Sequence, residues 1–541
     1  MRNLIKTCVF LVVLANILVA GAQSQVLSNA DWPTRFRDAA NTSNTPVVLP
    51  ETLYLRWAAP AGGGPGAIRC APVVFGGEVV SGDCVYDASS GSLLHWFPDA
   101  GDRNAVTVTA AGQNVLLSAR PRDYGHNSGY EYFAYDLDSY AFLWRLDSQA
   151  PGSALTIGAF VELNAKDGVF YITGMAGSAD GIAAVDAATG KVLWQKLDTA
   201  LPTKGMCSGA AVATLGGQKM VFVGFGDYGG TSDGIAALDA SNGEPLWWVT
   251  GFSVYAVPSV DEQGGVVYFS DDRACVLYAY DASLGTYVAA APLNWILNAA
   301  PSLGWAKDAA GNLHEAVFVI TGGDASVVYA FDRSTLQPLW QTPLNTGAWV
   351  SAVYSGDQLG GKLYVGGNNG SVYVLDALTG QVLQTWPIGF LLDPGQKCPG
   401  IVEVDVGGTP TPVMYFLNTD GNIAAWSPDG SGGSPPVFVL TASASPLQIP
   451  TNSSADVSAT LYQLVGTQQK TPIANARVSF SCNAARNGGF VAPTFAYTNS
   501  QGVATTKFYS QTRTGPVTVT AGAAGCQPAT VMITVKKAGR R

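Results

Sequence analysis

Histidine is nearly absent from this chain, with three among 541 residues, and charged side chains make up only 13%. No two cysteines are adjacent, and neither C-x-x-C nor C-x-x-C-H occurs, so the sequence offers no zinc knuckle and no attached haem. Positive charge is also short. The 29 basic residues face 39 acidic ones, a net charge of −10, which excludes phosphate-backbone binding as the main task because that needs a basic stripe. Few helix-favouring charged residues argue against a coiled coil. Beyond the first twenty residues, Gly, Asp or Asn interrupts every apolar run before it can span a bilayer. What is abundant is glycine (63), with 47% hydrophobic and 10% aromatic residues. That is too apolar for disorder and too glycine-poor for collagen. It suits an all-β chain long enough for more than one domain.

Residues 1–22 read as a secretory signal peptide. Arg2 and Lys6 form a positive start, residues 9–19 are a short apolar stretch, and Ala20, Gly21 and Ala22 supply small residues at the cleavage positions. A secreted or extracytoplasmic protein is therefore expected, periplasmic or at the cell surface in a bacterium. The other reading is a retained N-terminal anchor. Seven of the eight cysteines follow the leader. Cys70 and Cys84 flank a hairpin turning at Gly76 and Gly77, and Cys482 and Cys526 are the two of the C-terminal hundred residues. These are the disulfide candidates in an oxidising compartment. Asn41, Asn369 and Asn452 begin N-x-S/T sequons that matter only on a eukaryotic route.

Self-similarity organises most of the chain. Ala184, Asp186, Gly190 and Trp194 repeat as Ala237, Asp239, Gly243 and Trp247, the pattern A-x-D-x-x-x-G-x-x-x-W. Weaker copies hold Asp87 with Gly91, Asp136 with Trp144, Asp281 with Gly285, Asp332 with Trp340 and Asp376 with Gly380. The spacing of roughly 40–55 residues is that of propeller blades. Within a unit, a short strand precedes the Asp, the Asp and Gly make a tight turn, and a further strand returns. Two upstream strands complete four antiparallel strands, which must stack on neighbouring units to bury both faces. Units begin near Cys70, Ala105, Ile157, Cys207, Tyr255, Leu297 and Ala348, with an eighth near Cys398 that lacks its last strand. Residues 53–57 have the character of that missing strand. An eight-bladed β-propeller closed by an N-terminal strand is expected over residues 23–428, since an open ring would expose a strand edge.

The repeat resembles the pyrroloquinoline-quinone (PQQ) type β-propeller with its tryptophan-docking motif. The match is strong at Ala184, Asp186, Gly190 and Trp194 and at their counterparts from Ala237 to Trp247. The resemblance implies that Trp144, Trp194, Trp247 and Trp340 pack between blades as structural residues. His95, Ala289 and Gln384 stand where that Trp should be, and Tyr140 and Leu336 replace the Gly.

Residues 429–436 are a Gly/Ser/Pro linker. Residues 437–541 then carry short strands at the spacing of a small β-sandwich. The stretch from Thr498 through Gly502 to Ala504, with Gly515, Val517 and Val519, resembles the bacterial immunoglobulin-like repeats of invasin/intimin type. In that family such modules are spacers or adhesive ends without catalysis.

Loops joining the middle strands of the blades should gather on one face. The candidate contacts there are Asp123, Tyr124 and His126, then Asp227 and Tyr228, then Asp271, Asp272 and Arg273. The two longer loops exceed what a hairpin needs. The competing explanation is turn chemistry, which selects Asp, Asn and Gly. No catalytic residue is assigned: His126 and His314 have no identifiable nucleophile partner. Gly224, Gly226 and Gly229 spell G-x-G-x-x-G but lead into a repeat strand instead of a helix, and residues 356–362 spell a P-loop that lacks its Ser/Thr.

The expected function is therefore a secreted, non-catalytic binding or scaffold protein whose propeller face recognises protein or carbohydrate, with no cofactor. The alternative is a PQQ- and calcium-dependent alcohol or sugar dehydrogenase. That family uses a calcium-holding carboxylate and amide set, a catalytic Asp and, in the alcohol-oxidising group, two adjacent bonded cysteines. An envelope assembly factor sharing the fold is a third reading, disfavoured by the lack of a lipidation cysteine after the leader.

Overall fold

The computed structural model describes residues 30–60, 71–97, 104–121, 130–148, 153, 155–156, 161–174, 181–197, 201, 206–226, 233–297, 300–348, 350–387, 398–417, 422–430, 437–465, 469–473, 477–484, 488–523, 526 and 528–537. The leader, the linker core and the loops bearing Asp123, Tyr124, His126, Asp227 and Tyr228 lie outside them.

Up to residue 430, the described residues form eight sheets: six of four sequential antiparallel strands, one of four to which the short strand Asn44–Thr45 adds in parallel, and one of three sequential strands completed by Tyr54–Pro60. The third is typical: Val161–Lys166, Val169–Gly174, Gly181–Asp186 and Val192–Leu197. Its third strand is buried along almost its whole length, while in its fourth only Trp194 is buried. Asp186 then makes the turn. Its Oδ1 accepts from Thr189 N (2.9 Å) and Thr189 Oγ1 (2.6 Å), and Gly190 takes φ +70°. The first strands of the eight sheets begin at Val73, Asn104, Val161, Met206, Ser259, Ser302, Val353 and Gly400, within a few residues of the starts read from the repeat. Strand Gly234–Asp239 follows the G-x-G segment, and a hairpin turn joins Val353–Ser355 to Lys362–Gly366, so neither nominal nucleotide motif leads into a helix.

The sheets are joined by shared cores. Each of six buried clusters contains side chains from two consecutive sheets, from first-with-second to sixth-with-seventh. Another cluster joins Val74 and Tyr86 of the first sheet, Val353 and Tyr364 of the seventh and Ile401 and Trp426 of the eighth. This is a propeller arrangement. The eighth sheet takes its outer strand from the N-terminal region: Tyr54–Pro60 pairs antiparallel with Asn422–Ser427, Ala58 opposite Ala424. Arg56 bonds both Asp429 oxygens at 2.9 Å beside that pair.

One indole geometry recurs at the seams. Trp144, Trp194, Trp247 and Trp340 donate Nε1–H to the carbonyls of Ala187, Ala240, Ala282 and Ala377 in the following sheet, at 2.8–3.1 Å. Trp57 does the same to Ala88. Each indole lies flat against the turn glycine, so a Cβ on Gly243 would meet Trp194 at 2.5 Å. Deleting a buried indole of this kind costs about 3–5 kcal/mol.

The segment before Tyr54 runs along the inner wall. Trp32 forms a bridge with Val74, and Thr107 N donates to Pro33 O. Val212 N donates to Ala39 O, Val260 N to Ala40 O and Leu303 N to Thr42 O. Asn164 Nδ2 reaches Ala39 O at 2.9 Å, and Asn44–Thr45 pairs in parallel with Val353–Ser355. Residues 32–45 thus bond the first strand of each of the first seven sheets in turn.

The C-terminal residues make two five-stranded sheets over a core that includes Leu461, Phe480, Phe508 and Ile533. The shorter strands of these sheets are Gln448–Pro450, Gln469–Pro472, Gly489–Ala492 and Phe495–Tyr497. The proposed cysteine bridges are not made here. Cys84, Cys482 and Cys526 are free thiols, and Cys70 lies outside the described residues. Strand register explains the second pair. Cys482 sits opposite Val519, while Val478 sits opposite Ala523, so Cys526 lies beyond the other end of the pairing. Four residues of strand put them about 13 Å apart, past disulfide reach.

Candidate functional site

Asp271, Asp272 and Arg273 fill the turn after Val266–Asp271, at the end of the fifth sheet opposite its Asp261 hairpin. The extended strand delivers Asp271 inward, and its Oδ1 accepts from the backbone N–H of Ser253 and of Arg273, both at 3.1 Å. Asp272 N donates to Ser253 O, and Ser270 Oγ donates to Asp272 Oδ1 at 2.9 Å. Asp271 is 6% and Asp272 4% exposed. Burial pushes the Asp272 carboxyl up to about 7, against hydrogen bonds from Ser270 and the backbone of Tyr255 and Leu297 that favour its charged form. Asp272 Oδ2 has no partner among the described residues. The Arg273 guanidinium is far more open and lies 3.9 Å from buried Asp233. The two carboxylates thus tie the Ser253 loop to the sheet, and Arg273 is the accessible member of the three.

The alternative reading would need these acids at a metal. Among the described residues, no three His, Cys, Asp or Glu side chains converge as a metal-holding set. Asp271 is already engaged by two backbone donors, and no adjacent cysteine pair exists.

A second concave feature lies at the opposite, hairpin end of the sheets. A cavity of about 690 Å³ opens between the inner-wall segment, at Arg37 and Asp38, and the hairpins bearing Lys166, Glu262, Trp305 and Arg333. Sequence reasoning missed it. Its floor comes from residues 33–46, which precede the first repeat and carry no periodic signal. Trp57, the fifth indole of the seam geometry, was read only as part of a closing strand.

The sequential four-stranded sheets of the described residues form a propeller-like arrangement, with the full A-x-D-x-x-x-G-x-x-x-W pattern at residues 184–194 and 237–247. Residues 178–288 match the family model described as outer membrane protein assembly factor BamB. The quinohemoprotein alcohol dehydrogenase ADHIIG from Pseudomonas putida HK5 is similar at 13% identity and TM-score 0.54, over 75% of this chain and 81% of that one. The quinohemoprotein alcohol dehydrogenase from Comamonas testosteroni gives 13% and 0.55, over 75% and 82%. Sqt1 from Saccharomyces cerevisiae gives 11% and 0.51, over 69% and 98%. No curated protein matches. At these identities the likeness is one of fold.

Proposed function

We propose that this is an exported, non-catalytic binding or scaffold protein: an eight-bladed propeller closed by Tyr54–Pro60, recognising a protein or carbohydrate, and extended by an immunoglobulin-like sandwich after the 429–436 linker. The observation that carries this reading is the state of the Asp271–Asp272 pair. Both acids are buried, Asp271 accepts from the backbone of Ser253 and Arg273 and Asp272 from the Ser270 hydroxyl, which supports a role in holding the Ser253 loop in place. Two further features support recognition of a protein. Outer strands of four consecutive sheets expose Phe142 (57%), Leu193 (45%), Trp248 (51%) and Tyr287 (60%), and the partly matching family model is described as an assembly factor. No helix among the described residues is long and apolar enough to cross a membrane.

The test is titration of the purified mature chain with PQQ and calcium, followed by absorbance and dye-linked oxidation of alcohols and sugars. No turnover is expected. Turnover that disappears in Asp272→Ala, with folding intact, would replace this reading with the dehydrogenase one.

A further inference from the structure

Two arginines at the hairpin-end cavity, Arg37 and Arg333, each leave Nε without an acceptor among the described residues, and of the two only Arg37 has no carboxylate bonded to it there. Arg37 is 8% exposed, and its Nε has no hydrogen-bond acceptor among the described residues. It stands in the left-handed region at φ 75°, where a non-glycine residue is uncommon. Asp31 and Asp38 act on it through charge alone, while burial lowers its pKa. A buried guanidinium nitrogen without an acceptor is costly, and the planar fork of the group matches a carboxylate or phosphate.

Every other charged group at this cavity already has a partner. Asp38 accepts from Thr42 N at 2.9 Å and from Thr42 Oγ1. Glu262 accepts from Lys166 Nζ (2.5 Å) and Thr214 N (2.6 Å). Asp261 takes Arg333 Nη1 at 3.0 Å and Gln263 N at 3.1 Å, and Glu315 lies 3.8 Å from the same Arg333. Asp167 pairs with Lys219 at 2.8 Å. Of the cations lining this cavity, Arg37 is therefore the one with no carboxylate bonded to it among the described residues. Exposed Asp167, Glu262, Gln263 and Glu315 place the rim in solvent, and about 690 Å³ admits a small organic molecule.

We propose that this cavity is a binding site for a small oxyanion-bearing ligand, a carboxylate or phosphate held by the Arg37 guanidinium. The site is distinct from the Asp271–Arg273 turn, which lies at the other end of the same strands, so it stands whether or not the propeller face recognises a protein.

The experiment is calorimetric titration of the full mature chain with succinate and, separately, with inorganic phosphate, with Trp305 in the cavity wall reporting by fluorescence. Saturable binding of either probe is expected, weakened at least about tenfold in Arg37→Gln and partly kept in Arg37→Lys. Succinate alone binding identifies a carboxylate ligand, and phosphate alone a phosphate ligand. The proposal is overturned if the wild-type chain binds neither probe saturably, or if Arg37→Gln binds as the wild type does. The wild-type titration decides the matter even if a variant fails to fold.

Discussion

At the residue scale, the unusual groups are those the fold has taken out of water. Asp272 is the clearest. Its carboxyl titrates near 7 in the folded chain because burial disfavours the anion, while in the unfolded chain it returns to the ordinary carboxylate range. Between roughly pH 4 and 7 the folded state therefore holds a proton that the unfolded state has released. Stability must fall as pH rises through that window. His314 adds a slope of the same sign. Hydrogen bonds donated to the carboxylates of Asp332 and Asp308 raise its pKa, so its contribution is present at low pH and is lost as pH rises through the folded value. The thiol of Cys275 is moved upward, out of this range. Asp272→Asn keeps the acceptor for Ser270 and removes the titration. It should flatten the melting temperature against pH and melt about 2–4 °C above the wild type at pH 8. An unchanged pH slope in thermal melts would show that Asp272 is not the group responsible.

At the scale of elements, the seams show how a degenerate repeat keeps its packing. Where the indole is missing, the partner turn is altered too. Ala289 replaces a Trp, and across that seam Leu336 replaces the Gly, buried at 2% and holding the same left-handed backbone at φ 52°. Large-with-small has become small-with-large. His95 replaces another Trp, and it stacks on Tyr140, the residue at the corresponding glycine position, at 4.4 Å between ring centroids. At Gln384 the indole moves two residues along the same strand face, to Trp386, which donates to Glu51 O at 2.8 Å. A double-mutant cycle tests the first of these. Ala289→Trp should overpack the seam, and Leu336→Gly should leave a cavity, each costing about 2–4 kcal/mol. The double variant should recover part of both losses, with a coupling of about 1–3 kcal/mol by denaturant unfolding. Simple additivity would show that the two positions do not share a seam.

At the scale of the whole molecule, the N-terminal region performs two tasks that no single blade can. Residues 32–45 hydrogen-bond successive first strands along the inner wall, and Tyr54–Pro60 then supplies the outer strand of the eighth sheet. Start and end of the propeller are thereby held in one sheet, which leaves no unpaired third strand at Asn422–Ser427. Ala58 and Ala424 are direct register partners, and such Cα atoms lie about 4.5–5.5 Å apart, inside disulfide range. Ala58→Cys with Ala424→Cys should cross-link on mild oxidation. The linked peptide would be read by mass spectrometry, with a raised melting temperature that is lost on reduction. Failure to link in the folded protein would reject this strand pairing.

The repeat period, the Asp–Gly turns and the alternation within strands were legible in the sequence, because they depend on neighbours a few residues apart. So were the strand starts, to within a few residues, and the positions where Trp or Gly was absent. The cavity was not, since Arg37, Lys166, Trp305 and Arg333 meet only once the blades are stacked. Nor was the fate of Asp271 and Asp272. Adjacent acids in a turn look solvated on paper, and only the packing of the Ser253 loop over them makes them buried struts. The cysteines make the same point, for strand register separates Cys482 from Cys526 by a distance that chain spacing cannot reveal. Local sequence determined the β units. Tertiary structure decided what faces what, because contacts between blades join residues far apart in the chain, and their geometry comes from stacking twisted sheets instead of from any short pattern.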